Sequence, residues 1–142
     1  MKIVIVGNGK VGFSLAEQLV REKYDVVIVD LREDTLRRAA DALDIMSVKG
    51  NGISAATLIE AGAPDADLLV AATNSDEINM VCCLTAKHLG AKYAIARIRN
   101  PEYNTGLSDL KRNMGIDMVI NPENDTAVEI SRLLRFPPIT KI

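Results

Sequence analysis

The 142-residue chain has little of what stabilises small disulfide-rich or aromatic-rich proteins. Aromatic residues make up only 4% of it, tryptophan is absent, and the only cysteines are Cys82 and Cys83. A disulfide between adjacent cysteines strains the backbone, and this pair has no zinc-site spacing, so we interpret both as small buried apolar residues on a helix. A chain of this length can bury enough surface to fold as one domain without a disulfide or a metal.

The sequence also lacks an excess of positive charge and any long apolar run. Its net charge is −2 and its basic residues are scattered, which argues against a nucleic-acid partner. No apolar run approaches the roughly 20 residues needed to cross a bilayer. The first run, Ile3 to Val6, is too short for a signal peptide, so we expect a cytosolic protein. His88 is the only histidine, and its place in the last turn of a predicted helix favours a structural role over catalysis.

What the sequence does contain is an alternation of short apolar runs with longer amphipathic stretches. Helices are predicted between the runs from apolar spacings of three and four, the fifth from Tyr103 to Met114 and the sixth from Pro122 to Arg135. Strands joined by such helices form a parallel sheet with right-handed crossovers, so we predict an α/β fold. The Val- and Ile-rich runs predict six strands, at Lys2–Val6, Asp25–Asp30, Ile45–Val48, Asp67–Ala71, Tyr93–Ile98 and Asp117–Ile120.

A glycine-rich loop follows the first predicted strand and opens the first helix. In this context three glycines allow a tight turn, close approach of a pyrophosphate, and packing of helix on strand. The helix N-terminus then presents free N–H groups to the phosphates. Asp30 ends the second predicted strand and can accept both ribose hydroxyls, which predicts NAD rather than NADP, although Arg32 could pair with a phosphate. The loop reads Gly7-Asn8-Gly9-Lys10-Val11-Gly12.

This motif makes the predicted fold a Rossmann-type doubly wound parallel six-stranded sheet with helices on both faces. Polar residues after the third and fourth predicted strands would share its ligand-binding rim. Asn51, between two glycines, could bond an adenine edge or belong to a plain turn. Thr73 and Asn74 would lie on the rim, but Asn74 with Glu77 also fits a helix cap.

Several charged residues have two interpretations each. Arg97 and Arg99 would face one side at the end of the fifth strand, where an arginine can clamp a phosphate. Lys10 could reach a phosphate or be a solvated surface lysine. Glu123 could contact a ligand or metal, or complement the first turn of its helix. That last helix, 122–135, has apolar residues on more than one side, which fits either a partner interface or closure of the core.

Together these segments resemble the N-terminal nucleotide-binding domain of Trk-type potassium-uptake regulators, also called the RCK or KTN domain. The glycine loop is shared by all Rossmann proteins, whereas the Ala-Thr-Asn-x-Asp-x-x-Asn stretch and the Ala-Arg-x-Arg strand are more specific. The resemblance covers nearly the whole chain. It rests on residues 2–12, Val29-Asp30, Gly50-Asn51-Gly52, residues 71–80 and residues 96–99.

The resemblance implies a non-catalytic cytoplasmic regulator at the inner face of the membrane. Such domains bind NAD(H) or ATP/ADP and assemble, as dimers within a tetrameric or octameric ring, beneath a potassium channel or transporter subunit. It implies a domain over residues 1–136, a dimer crossover at 122–135, and the start of a linker to a C-terminal domain over 137–142. Carried over by motif position, the nucleotide site comprises Gly7, Gly9, Lys10, Gly12, Asp30, Asn51, Thr73, Asn74 and Arg97, and the neighbouring Asn8, Val11, Leu31 and Gly52 complete the candidate set.

The alternative function is the cofactor-binding half of an NAD-dependent dehydrogenase. That function needs a substrate domain and a proton-transfer residue, and the sequence offers no catalytic triad, metal cluster or paired catalytic carboxylates. A short-chain reductase is disfavoured because no tyrosine and lysine pair stands at helical spacing on the rim. We therefore expect a regulator rather than an enzyme.

Overall fold

The computed structural model describes residues 1–120, which alternate strands and helices as the apolar runs predict. Two short 3-10 turns, Ala63–Asp65 and Pro101–Tyr103, interrupt the alternation. The strands are β1 (Lys2–Val6), β2 (Asp25–Asp30), β3 (Met46–Lys49), β4 (Leu68–Ala71), β5 (Tyr93–Arg97) and β6 (Met118–Ile120). The helices are α1 (Lys10–Arg21), α2 (Glu33–Ala42), α3 (Ala55–Ala61), α4 (Asp76–Leu89) and α5 (Leu107–Met114).

The six strands form one parallel sheet in the order β3-β2-β1-β4-β5-β6, which confirms the predicted doubly wound topology. The chain winds outward from β1 in one direction and from β4 in the other, so the strand order reverses between these two neighbours. At the level of this reversal Val6 of β1 lies opposite Val29 of β2 and Ala71 of β4. Ligands of such folds bind beyond the carboxyl ends of the strands at this point.

Each face of the sheet carries its own apolar core, because successive strand residues point to opposite faces. Ile3 and Ile5 of β1 are fully buried against Leu15 and Leu19 of α1, and α2 covers the same face. The other face is covered by α3, α4 and α5. Both strand faces are therefore apolar, which explains the continuous Val and Ile runs.

The fifth helix is shorter than predicted. The segment expected to be helical from Tyr103 begins instead with the 3-10 turn Pro101–Tyr103, where the Asn100 side chain accepts from the backbone N–H of Glu102 at 2.9 Å. The α-helix starts only after Gly106. The other differences are of one residue, as at β3, which runs one position later than predicted.

Cys82 and Cys83 lie on α4 with no exposed surface, as the sequence predicts. Burial raises the pKa of the Cys82 thiol to about 12 and that of Cys83 well above its usual value, so both remain protonated at neutral pH. The Cys83 thiol donates to the Ile95 carbonyl at 3.4 Å. These contacts give both residues a packing role.

Within residues 1–120, no helix is long and apolar enough to span a membrane. The same residues hold no group of three or more His, Cys, Asp or Glu side chains placed to bind a metal. The predicted sixth helix at 122–135, Glu123 and the expected linker at 137–142 lie outside the described residues.

Candidate functional site

A cleft of about 260 Å³ opens at the carboxyl ends of β1 to β4, where the strand order reverses. Four loops, one after each of these strands, supply its walls. Because parallel strands place their carboxyl ends at one edge, residues far apart in sequence meet here. The lining consists of Val6, Gly7, Asn8, Gly9, Val29, Asp30, Leu31, Arg32, Gly50, Asn51, Gly52, Ala72, Thr73, Asn74 and Ile78.

Each of the three glycines of the β1–α1 loop is required for a different structural reason. Gly7 has a φ of +104°, and a Cβ there would lie 2.9 Å from the Ala72 carbonyl oxygen. A Cβ on Gly12 would lie 1.8 Å from the Gly7 carbonyl oxygen, so only glycine lets α1 approach the loop this closely. A Cβ on Gly9 would instead meet no atom within 4 Å, and this residue borders the cleft. The absence of a side chain on Gly9 leaves room for a ligand.

The N-terminus of α1 is free to act on an anion. Gly9 occupies its N-cap without a side-chain cap, and the first turn holds no acidic residue. The first N–H groups of a helix lack intrahelical partners and carry a partial positive charge. This end of α1 can therefore bind a phosphate.

Asp30 holds two walls of the cleft together. Its Oδ2 accepts from the Asn8 backbone N–H and its Oδ1 from the Arg32 backbone N–H, each at 2.8 Å. The Asn8 side-chain amide extends the connection by donating to the Thr35 carbonyl at 2.7 Å. The carboxylate thus fixes the glycine loop against the β2–α2 turn, and Asp30 itself lines the cleft.

The loop after β3 approaches the cleft through two glycines. A Cβ on Gly52 would lie 2.3 Å from a methyl carbon of Val6, and one on Gly50 would lie 2.5 Å from the Thr57 hydroxyl. Asn51 lines the cleft, and its Oδ1 also accepts from the Ile53 backbone N–H at 3.1 Å. The Asn51 side chain therefore takes part in the turn as well as in the cleft wall.

Of the two interpretations of Asn74, the structure has it lining the cleft, and the alternative that it caps α4 is wrong. Ser75 is the N-cap, and its Oγ accepts from the Ile78 backbone N–H at 3.2 Å. Asn74 lines the cleft one residue earlier, and its Oδ1 accepts from Arg97 at 3.3 Å. Glu77 accepts from the Tyr103 hydroxyl rather than completing a capping box.

Asn79 was not placed in the candidate site, yet it fixes one wall of it. Asn79 is fully buried. Its Oδ1 accepts from the Thr73 backbone N–H at 2.9 Å and from the Thr73 hydroxyl at 2.7 Å. Its Nδ2 donates to the carbonyls of Thr73 at 3.2 Å and Arg97 at 2.8 Å. Asp76 similarly accepts from the backbone N–H groups of Arg99 and Asn100. The polar residues of this stretch thus join the ends of β4 and β5.

Arg97 lies behind the cleft wall instead of lining the cleft. It is 8% exposed, and its Nη1 donates to the Thr73 carbonyl and to Asn74 Oδ1, each at 3.3 Å. Burial lowers the pKa of Arg97, with repulsion from Arg99 acting in the same direction and Asp76 opposing both. Arg99 also reaches this turn, donating to the Asn74 carbonyl at 3.0 Å.

The structure brings most of the candidate residues together. Lys10, Val11 and Gly12 belong to the first turn of α1 and do not line the cleft, Lys10 being exposed and Gly12 buried against Gly7. Arg32 lines the cleft and was noted in the sequence only as a residue that could pair with phosphate. The candidates that line the cleft are Gly7, Asn8, Gly9, Asp30, Leu31, Asn51, Gly52, Thr73 and Asn74.

Solved structures share this fold. The TrkA-N domain of the inner membrane protein ybaL from Escherichia coli superposes with a TM-score of 0.75 at 19% identity, over 94% of this chain and 96% of that one. The GsuK channel bound to NAD superposes with a TM-score of 0.71 at 24% identity, over 84% of this chain and 21% of that one. GsuK bound to ADP gives a TM-score of 0.70 at 23% identity, over 84% and 31%.

Sequence similarity is higher to a curated relative. This chain is 45% identical over 140 residues to the Trk system potassium uptake protein TrkA of Haemophilus influenzae, covering 96% of this chain. It spans only 31% of the length of that relative. The family model of the TrkA-N domain matches residues 3–122. The chain therefore belongs to the TrkA-N domain family.

Proposed function

We propose that this chain is a nucleotide-sensing regulatory domain that binds NAD(H) or ATP/ADP in the cleft and thereby gates a membrane potassium channel or transporter. The observation that carries the proposal is the cleft itself, built from the glycine loop, Asp30 and the Thr73–Asn74 turn in a chain of this family. A relative at 45% identity is named a potassium uptake protein. GsuK, of the same fold, has been solved with NAD and with ADP.

The chemistry of the walls fits an adenine nucleotide. The N-terminus of α1 attracts the phosphates, and Asp30 accepts from the ribose hydroxyls. Apolar surface from Val6, Leu31 and Ile78 can cover a flat base. Asn74, in the remaining wall, accepts a hydrogen bond from Arg97 at the end of β5. A ligand that contacts Asn74 therefore contacts a residue bonded to the second half of the sheet.

Regulation requires the bound nucleotides to differ in affinity for two conformations of an assembly. In this proposal the chain acts in the cytoplasm at the inner face of the membrane, as a dimer within a ring beneath the transporter subunit. The domain bounds of 1–136, the dimer crossover at 122–135 and the linker from 137 stay predictions from the family resemblance.

Calorimetry of the 142-residue chain with NADH, NAD⁺, ATP and ADP tests the binding step. We expect binding that differs among the four and is lost in Asp30→Ala. Asp41→Ala, which removes the same charge from an exposed position of α2, is the matched control and should bind as the wild type does. If none of the four binds, the cleft is not a nucleotide site and the proposal fails.

Uptake of rubidium, a potassium analogue, by cells carrying this protein tests the gating step. Asp30→Ala should change the uptake rate while Asp41→Ala should not. Equal rates in all three strains would separate nucleotide binding from potassium transport and refute gating.

The dehydrogenase alternative predicts a different outcome. A regulator leaves the redox state of bound NADH unchanged, so its absorbance at the reduced-nicotinamide band should stay constant during prolonged incubation with candidate carbonyl substrates. Oxidation that depends on the protein would favour the alternative.

A further inference from the structure

The Asp30 carboxylate repels a ligand phosphate less strongly than its position at the end of β2 suggests. Both carboxylate oxygens already accept backbone N–H groups, from Asn8 and Arg32, at 2.8 Å. The Asp30 side chain is only 12% exposed. Two backbone N–H groups therefore stabilise the carboxylate within the protein, and little of the Asp30 side chain is exposed to a ligand.

The exposed charge at this corner of the cleft is positive. Arg32 lines the cleft with its side chain 63% exposed, and its Nε lies 3.7 Å from Asp30 Oδ1. This separation is longer than a hydrogen bond, so the guanidinium keeps its donors for a ligand. Pairing with Asp30 also holds the guanidinium beside the point where a ribose would meet the carboxylate.

The neighbouring acidic residues are paired and do not cancel this charge. Glu33 lies 3.9 Å from Arg37 and 4.0 Å from Lys49, measured between their charged atoms. Asp34 and Arg38 form a similar exposed pair at 3.9 Å, one turn apart on α2. Basic groups therefore accompany each of these carboxylates, and Arg32 lines the cleft itself.

From these contacts we infer that Arg32 is a specificity-determining residue that admits an adenosine ribose carrying a 2′-phosphate, so the cleft accepts NADP(H) as well as NAD(H). The inference rests on the proposed nucleotide function and names a ligand class for the same cleft. In Rossmann-type sites an acidic residue binds the 2′-hydroxyl, whereas a nearby arginine accommodates a 2′-phosphate. Here one site holds both groups. The phosphate meets Arg32, and an unphosphorylated ribose meets Asp30.

The test is the ratio of the dissociation constants of NADPH and NADH, measured by calorimetry on the 142-residue chain. A second pair, adenosine 2′,5′-bisphosphate and adenosine 5′-monophosphate, isolates the ribose corner from the rest of the nucleotide. The variant is Arg32→Ala, which keeps the backbone N–H that Asp30 accepts. Arg37→Ala is the matched control, because it removes the same charge from an exposed position outside the cleft lining.

We expect the wild type to bind NADPH within about tenfold of NADH, and Arg32→Ala to raise the ratio by about tenfold, which corresponds to about 1.4 kcal/mol. NADH binding should change little in either variant. The inference is overturned if NADH binds but Arg32→Ala changes the ratio by less than about threefold, or if Arg37→Ala changes it equally. Absence of binding by every nucleotide would instead defeat the proposed function, and this inference with it.

Discussion

Replacing Gly12 by alanine should destabilise the fold, because the new Cβ would lie 1.8 Å from the Gly7 carbonyl oxygen. A backbone atom cannot rotate away, so α1 or the loop must shift. Overpacking of this kind costs about 1–3 kcal/mol, and a contact this short belongs at the upper end. Alanine recovers about 1 kcal/mol of helix propensity. The net expectation is a loss of about 2 kcal/mol, or a fall in Tm of about 5 °C or more.

Gly9→Ala is the matched comparison within the same motif. Its Cβ would meet nothing within 4 Å, and its φ of −83° suits alanine. Alanine is a poorer N-cap residue than glycine, and this difference should lower the free energy of unfolding by less than about 1 kcal/mol. Nucleotide affinity should nevertheless fall at least about tenfold, because the new methyl group occupies the ligand's approach to the loop.

Urea unfolding followed by circular dichroism measures the stability of both variants, and calorimetry with NADH measures binding. Gly12→Ala with wild-type stability would refute the argument from close packing. Gly9→Ala with wild-type affinity would refute the argument that this glycine leaves room for a phosphate.

Four further predictions concern the polar and apolar contacts of α4. Asn79→Ala should cost about 3 kcal/mol in urea unfolding, since the buried Arg97 carbonyl and the half-buried groups of Thr73 lose their hydrogen bonds. Stability within about 1 kcal/mol of wild type would contradict this. Ser75→Ala should cost about 1 kcal/mol as a lost N-cap, and a larger cost for Asn74→Ala would restore Asn74 as the cap. Cys82 and Cys83 should resist a thiol reagent at pH 8 until the chain unfolds. As the pH rises from 9 toward 12, the unfolded Cys82 thiol ionises before the folded one, so stability should fall across that range, and less so in Cys82→Ala. Rapid labelling of the folded chain by the thiol reagent would contradict the burial of Cys82 and Cys83.

The six parallel strands and the helices on both faces of the sheet could be predicted because apolar runs and helical spacings are local patterns. Runs such as Ile3 to Val6 have no polar face, which suits a parallel strand covered on both sides. The loop Gly7 to Gly12 and Asp30 follow neighbouring strands, so the topology brings them together without further information.

The contacts between β4 and β5 could not be predicted from sequence. Whether Arg97 faces the cleft or lies behind its wall depends on the relative extension of the two strands, which periodicity does not reveal. Asn74 and Ser75 are both good caps, and the choice between them depends on where β4 ends. Asp76 shares no local pattern with its partners Arg99 and Asn100, which lie on a different loop.

The most direct test of the central claim is the location of the bound nucleotide. Amide ¹H–¹⁵N spectra of the 142-residue chain should be recorded with increasing NADH and, separately, ADP. The proposed site predicts that the largest shifts fall on Gly7, Gly9, Asp30, Asn51 and Thr73, around the cleft. Absence of shifts, or shifts centred on the separate groove between Ser108 and Asp117, would contradict it.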